Sequence, residues 1–501
     1  MPHLLVAAAH KSSGKTTVTI GLARALSRRG VKVQTFKKGP DYIDPMWLSR
    51  ASGRPCYNLD YNTQTREEIA GFFAARSAAA DVALIEANKG LYDGVDLEGR
   101  DSNAALAKQL GAPVVLVVDT EGITRGVAPL LLGYRVFDPE IVIGGVILNK
   151  VAGPRHESKL RAAIERYTDL RVLGAIGRSG ELGVSERHLG LTTPAETGEH
   201  EVRIARIAEA VAAGVDLDKV RAIAAMAMPT VAHSRRVGEG QGGGGPRPSG
   251  FPPPHAQPPE GEGSTVRIAV ARDTAFGFYY PDDLEALEAA GAELVFFDTA
   301  TDERLPAADG LIIGGGFPET QAVRLEQNAA LRLDIKSAIE RGLPTYAECG
   351  GLMYLCRAIR WGAESHAMVG VIPGDAEMHD KPQGRGHVRL EETGASPWPA
   401  MGGLGAAGSR VAAHEFHYAA IRGLPEGLTY AYKLLRGDGI DGRRDGIVMH
   451  NLVAGFSHQR STAANPWTQR FVAFVRACKE DQAGDGRAAP PGEAAIARPA
   501  Q

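Results

Sequence analysis

Apolar side chains recur along this chain in one pattern, used twice. In the first part, short apolar runs stand at "LLVAAA" (4–9), "VKVQTF" (31–36), "VALIEA" (82–87), "VVLVVD" (114–119) and "GGVILN" (144–149). Several are apolar at successive rather than alternate positions, as a strand covered on both faces requires. Between them the pattern turns helical, as over Thr17–Arg29. The second part repeats the alternation with "VRIAVA" (266–271), "AELVFF" (292–297), "GLIIGG" (310–315) and "PTYAE" (344–348). This order predicts two α/β domains with mainly parallel sheets.

The two parts are separated by "VGEGQGGGGPRPSGFPPPHAQPPEGEGS" (237–264), where glycine and proline replace the apolar pattern. Such a stretch has too little apolar surface to pack and is expected to be a flexible tether. The tail from Glu480, ending "GRAAPPGEAAIARPAQ", is expected to be disordered for the same reason. The predicted organisation is therefore a domain over 1–228, a linker over 229–264, a domain over 265–479 and a tail over 480–501.

Composition narrows the function without naming it. Charged residues make up 23% of the 501 positions and the formal net charge is −3, so no basic footprint for nucleic acid or membrane is expected. Runs such as "VVLVV" and "GLIIGGG" have strand length, far short of a membrane span. The N-terminal "MPHLLVAAAHKSSGKTT" lacks the pattern of a secretory signal. Cys56, Cys349, Cys356 and Cys478 are too few for a disulfide framework in so long a chain. The expectation is a cytoplasmic, multidomain protein with small-molecule partners.

The first predicted strand runs into "AHKSSGKTT" (9–17), and Gly14-Lys15-Thr16 fits the end of a phosphate-binding loop. Backbone N–H groups and a helix N-terminus cradle phosphates there, a lysine reaches the outer oxygens, and a hydroxyl binds Mg²⁺. Ala9 stands where that pattern has its first glycine. Further on, "FKKGPDYIDP" (36–45) and "EANKGLYDG" (86–94) place Asp41, Glu86 and Asp93 just after strands. Ligands of open α/β sheets bind at that edge, and Mg²⁺ favours carboxylates together with substrate phosphates. Each carboxylate alone reads sooner as a solvated loop residue; together beside a phosphate loop they read as a metal site. Asn149, closing "ILNK", is a candidate to read adenine.

In the second part, "IIGGGFPE" (312–319) puts glycines directly after a strand, where backbone amides can approach a ligand and form an oxyanion hole. "AECGGL" (347–352) then has the strand–nucleophile–glycine–helix form of a nucleophile elbow with a thiol at Cys349. A free cysteine is as often a small buried side chain, which is how Cys356 reads. A catalytic thiol wants a histidine partner. His414 and His417 in "AAHEFHY" and His450 and His458 in "MHNLVAGFSHQRS" are the candidates, and spacing does not choose among them.

With "SSGKTT", "FKKGPDYIDP", "GLYDG", "GGGFPE", "ECGGLMYL" and "HEFHY" in this order, the chain resembles the glutamine-dependent cobyrinate a,c-diamide synthase family. The resemblance covers the chain apart from its tether and tail. It implies a dethiobiotin-synthetase-like P-loop domain joined to a class I-like glutamine amidotransferase domain. Its Cys–His pair is expected to lack the usual third acidic member. The implied activity is that of a carbon–nitrogen ligase, converting tetrapyrrole side-chain carboxylates to carboxamides with ATP, Mg²⁺ and glutamine. Cys349 and, by the match of "GFSHQRSTAANP", His458 would be catalytic, with Gly315 and Gly316 at the oxyanion. Ser13, Gly14, Lys15, Thr16, Thr17 and Asn149 would bind ATP. Thr16, Asp41, Glu86 and Asp93 would hold the metal, and Asp41 and Tyr42 would meet the tetrapyrrole. A homodimer is compatible with this.

The chain departs from the pattern in "HQR" (458–460), where the family carries a second histidine, and in the start of its P-loop. Its "NKGLYDGVDLEG" looks more like the branch that amidates sirohaem, so sirohaem stands as the alternative substrate to a corrinoid. Two readings from other classes are a partitioning-type P-loop ATPase switch and an amidotransferase-like regulator that binds without turnover. The first has no need of "ECGGL", and the second would have lost Cys349.

Overall fold

The computed structural model describes residues 1–180, 186–187, 190–191, 193, 199–228 and 265–485. These fall into two compact units, the first gathering residues 1–228 with Phe278–Asp282, the second residues 265–277 and 283–485. The tether expected at 237–264 lies outside the described residues, as does the tail beyond 485.

The first unit is built on a seven-stranded sheet. Its strands are β1 (His3–Ala8), β2 (Val33–Lys38), β3 (Tyr57–Leu59), β4 (Val82–Glu86), β5 (Val114–Asp119), β6 (Ile143–Val151) and β7 (Val172–Gly177). They run in the order β3-β2-β4-β1-β5-β6-β7, and every pairing is parallel. Leu4, Leu5, Val6, Ala7 and Ala8 are all buried, so helices cover β1 on both faces. Two helices matter for the site, α1 (Lys15–Arg28) and α2 (Ile43–Ser52). Because β1 lies centrally and its neighbours are parallel to it, the carboxyl ends of β1, β2, β4 and β6 share one edge.

The second unit has a nine-stranded sheet of β8 (Val266–Ala271), β9 (Ala292–Phe297), β10 (Gly310–Ile313), β11 (Thr345–Glu348), β12 (Gly384–Glu392), β13 (Arg410–His417), β14 (Thr429–Arg436), β15 (Arg444–Met449) and β16 (Leu452–Gly455). The order is β9-β8-β10-β11-β16-β15-β14-β12-β13. From β9 to β16 the pairings are parallel, and from β16 onward they are antiparallel. The expectation of a mainly parallel sheet holds for the half the apolar runs revealed. The antiparallel half was missed because its strands show only intermittent burial, as in β13 and β14.

A short helix, α3 (Gly350–Leu355), follows β11. The C-terminal helix, α4 (Trp467–Asp485), continues past Glu480, where the tail was expected to begin. Phe471, Val472 and Val475 anchor it in the core and the Lys479 ammonium meets Asp309 at 2.9 Å, so its ordered part extends beyond the last apolar residue.

Candidate active site

In the first unit, the loop after β1 turns through left-handed backbone at Ser12 (φ 63°) and Gly14 (φ 85°) before entering α1. A Cβ on Gly14 would lie 2.1 Å from the Asn149 amide nitrogen, so only glycine fits. That amide donates to the Ser13 carbonyl at 2.9 Å. Asn149, a candidate for adenine, thus props the loop from β6. The Ser13 hydroxyl folds back onto the His10 carbonyl at 2.8 Å. Thr17 sits half-buried in the first turn of α1. Lys15 is buried, and burial together with the neighbouring Lys37 ammonium lowers its pKa.

At the ends of β2 and β4 the structure gathers a charge network. The Lys37 ammonium binds Asp44, approaches Glu86 Oε1 at 2.8 Å and lies 3.8 Å from Asp41. Burial opposes its charge, but the Asp44 and Glu86 carboxylates outweigh that and hold its pKa well above the ordinary value. Thr16 donates to Glu86 Oε1 at 2.7 Å. Glu86 is fully buried, and burial raises its pKa; its second oxygen, Oε2, has no hydrogen-bond partner. Asp41 is raised to about 7, by burial and by the nearby Asp44.

Of the four expected metal ligands, Thr16 and Glu86 meet, and Asp41 shares the Lys37 ammonium with Glu86. Asp41 Oδ1 accepts the backbone N–H groups of Ile43 and Asp44, capping α2, and Asp93 Oδ2 accepts from Gly90 N–H at 2.9 Å. Those two carboxylates close turns, whereas Thr16 and Glu86 meet. Among the described residues no three His, Cys, Asp or Glu side chains form a metal cluster. A hydroxyl and one carboxylate with an orphaned buried oxygen do suit Mg²⁺, which takes most of its shell from phosphate and water. Tyr42 is buried at the N-terminus of α2. Lys37 and Asp44 were missed although both lie in "FKKGPDYIDP"; the doubled lysine at a strand end was their signal.

In the second unit, β11 ends at Glu348 and Cys349 turns the chain with φ 48° and ψ −101°. A non-glycine residue there costs about 1–3 kcal/mol. The turn is fixed by neighbours: Cys349 N–H donates to the Gly455 carbonyl at 2.7 Å, and Met353 N–H donates to the Cys349 carbonyl. A Cβ on Gly351 would lie 2.1 Å from the Ile313 carbonyl oxygen, and one on Gly350 would lie 3.0 Å from the Gly316 nitrogen. The Gly315–Gly316 segment, a two-residue strand, therefore packs directly against the residue after Cys349. Cys356 is buried core, its thiol pKa pushed up by burial.

The four histidines separate clearly. His450 is exposed in the turn before β16, whose first residue pairs with Thr345 at the opposite end of β11 from Cys349. His417 stacks on Phe456 with ring centres 3.7 Å apart and binds the Ala419 carbonyl. His458 is hydrogen-bonded to Cys349. Burial works against a charged His458, but the Cys349 sulfur and the Glu348 carboxylate overcome it and raise its pKa to about 10. His414 stacks on His458 at 4.9 Å and 18°, and burial and His458 push its pKa well below the ordinary value. Glu348, missed as a site residue, lies 3.4 Å from His458 Nδ1.

Residues 4–189 match the CobQ/CobB/MinD/ParA nucleotide-binding domain, and residues 267–466 match the CobB/CobQ-like glutamine amidotransferase domain. A cobyrinate a,c-diamide synthase of Magnetococcus marinus is 44% identical over 476 residues, covering 95% of this chain and 97% of that protein. One from Methanosarcina acetivorans is 39% identical over 487 residues, covering 92% and 93%, and one from Archaeoglobus fulgidus 38% over 475 residues, covering 94% and 97%. No described helix is long and apolar enough to cross a membrane.

Proposed function

Because the chain belongs to the cobyrinate a,c-diamide synthase family, we propose that it is an ATP- and glutamine-dependent ligase that converts acetate side chains of cobyrinate to carboxamides. The observation that supports this most is the pairing of Cys349 and His458 on a strained turn beside a glycine-lined backbone.

In the second unit, His458 carries the proton while the Cys349 sulfur attacks the carbonyl carbon of the glutamine side-chain amide. A C–S bond forms, and amides of the Gly315–Gly316 segment would stabilise the oxyanion. As the C–N bond breaks, the imidazolium returns its proton to the leaving nitrogen, releasing ammonia. Water then hydrolyses the thioester to glutamate.

In the first unit, ATP would lie along the loop at Ser13–Thr17, with its phosphates on the backbone amides and the Lys15 ammonium. Thr16 and Glu86 would hold Mg²⁺, which neutralises phosphate charge as it develops. A substrate carboxylate, oriented by Asp41 and Tyr42, attacks the γ-phosphorus and ADP leaves. Ammonia displaces phosphate from the acyl phosphate, giving the amide and losing a proton. Phosphorylation is needed because a carboxylate is otherwise a poor acyl donor.

The test supplies ATP, Mg²⁺ and either glutamine or ammonium, with cobyrinate and sirohaem in separate arms, and reads macrocycle mass and ADP. Cys349→Ala is expected to lose about a thousandfold or more of glutamine-dependent turnover while keeping the ammonium-dependent one. Amidation of sirohaem alone would transfer the reading to the substrate that "NKGLYDGVDLEG" suggests. ATP turnover without a mass change in either arm would overturn both.

A further inference from the structure

The residue before the nucleophile has an unexpected place. Glu348, the last residue of β11, is buried, and its Oε1 accepts the backbone N–H of Gln459 at 2.9 Å and the hydroxyl of Tyr346. Gln459 is itself held, donating to Tyr432 at 2.9 Å and accepting from Asn465 at 3.1 Å. These bonds leave Glu348 Oε2 to face His458 Nδ1 at 3.4 Å. A strand sends successive side chains to opposite faces. The left-handed turn at Cys349 suspends that alternation, which lets adjacent residues serve one imidazole.

We propose that Glu348 is the acidic positioning residue of the glutaminase centre, fixing the tautomer and orientation of His458 from the position preceding the nucleophile. It thereby takes the place of the third acidic member that "HQR" does not provide after the histidine. The inference rests on the Cys349–His458 reading. Glu348 faces Nδ1 as a charge partner, steadies the imidazolium while that group carries the thiol proton, and touches neither glutamine nor sulfur in its role. The other groups facing His458 are the Cys349 sulfur and the stacked His414 ring, and Arg460 and His387 add positive charge near His414. Burial keeps His414 neutral, and Glu348 presents its carboxylate to the imidazolium.

The experiment compares Glu348→Gln and Glu348→Asp with the full-length protein, measuring glutamine hydrolysis against pH. The Gln variant retains an oxygen for Gln459 and Tyr346, so its fold is expected to persist. Its kcat should fall about a hundredfold or more, with KM for glutamine within about twofold. The alkaline limb of its kcat profile should move to lower pH, since the imidazolium has lost its carboxylate. The Asp variant keeps the charge but draws it back, and should fall between in both readouts. It carries the test alone if the Gln variant does not fold. Wild-type kcat and limb in either folded variant overturn the proposal, as does a loss of kcat with an unmoved limb. Failure of the underlying reading shows separately, as glutamine hydrolysis surviving Cys349→Ala.

Discussion

The two centres are held in shape by different means. Around the phosphate loop, charge does the holding: a buried ammonium on Lys37 joins Asp44 and Glu86, and Glu86 takes the Thr16 hydroxyl. At Cys349 the backbone does it, through a turn whose neighbouring glycines leave no room for a side chain. Apart from Gly14, where Asn149 leaves no room for a side chain, the first centre should therefore be sensitive to lost charge and tolerant of small changes in volume. The second should behave in the opposite way. The exchangeable phosphate and metal ion proposed for the first centre suit a polar network that can redistribute, whereas the nucleophile proposed for the second must be aimed.

The comparison can be broken most sharply at Lys37. Lys37→Met keeps the length of the side chain but strands the buried Glu86 carboxylate and the partly buried Asp44, and should cost about 3–5 kcal/mol in urea denaturation. A loss well under 1 kcal/mol would mean that the network is not what holds the first centre. Next is Gly351→Ala, whose new methyl meets the Ile313 carbonyl oxygen rather than a movable side chain. Its expected cost is about 1–3 kcal/mol, with a loss of glutamine hydrolysis larger than the stability loss explains. An alanine that melts like the wild type would remove the argument from backbone crowding.

The smallest effect concerns pH. His458 has its folded pKa raised to about 10, above the value of about 6.5 in an unfolded chain. The folded state therefore binds the extra proton between those limits. Its contribution to stability is complete below about pH 6.5 and is lost as pH rises through about 10. Melting temperatures of the wild type and His458→Gln should diverge least at alkaline pH. A constant difference across that window would show that the imidazolium is not specially stabilised.

Much of this was readable from the residues. The runs at 114–119 and 266–271 coincide with β5 and β8. Gly14-Lys15-Thr16 and Cys349 lie at strand-to-helix turns as their motifs require. Strands buried on both faces announce themselves; β12 to β14, with mixed faces, do not. Side-chain direction was equally hidden. Asp41 and Asp93 read as ligands because carboxylates after strands can be, yet each turns toward a nearby backbone N–H. Glu348 escaped notice because a residue adjacent to another in a strand is expected to point away from it, and only the φ of Cys349 reverses that.

That turn has a bearing on how such a chain drifts. A left-handed residue with a β-carbon is a standing penalty, present whether or not any substrate is bound. Were the thiol no longer used, glycine at position 349 would relieve it at once, and chance substitution would find that relief early. A cysteine in so uncomfortable a conformation is what the proposed use of its sulfur would require. A lineage that had come to use only free ammonia would be expected to lose this residue before it lost the fold around it.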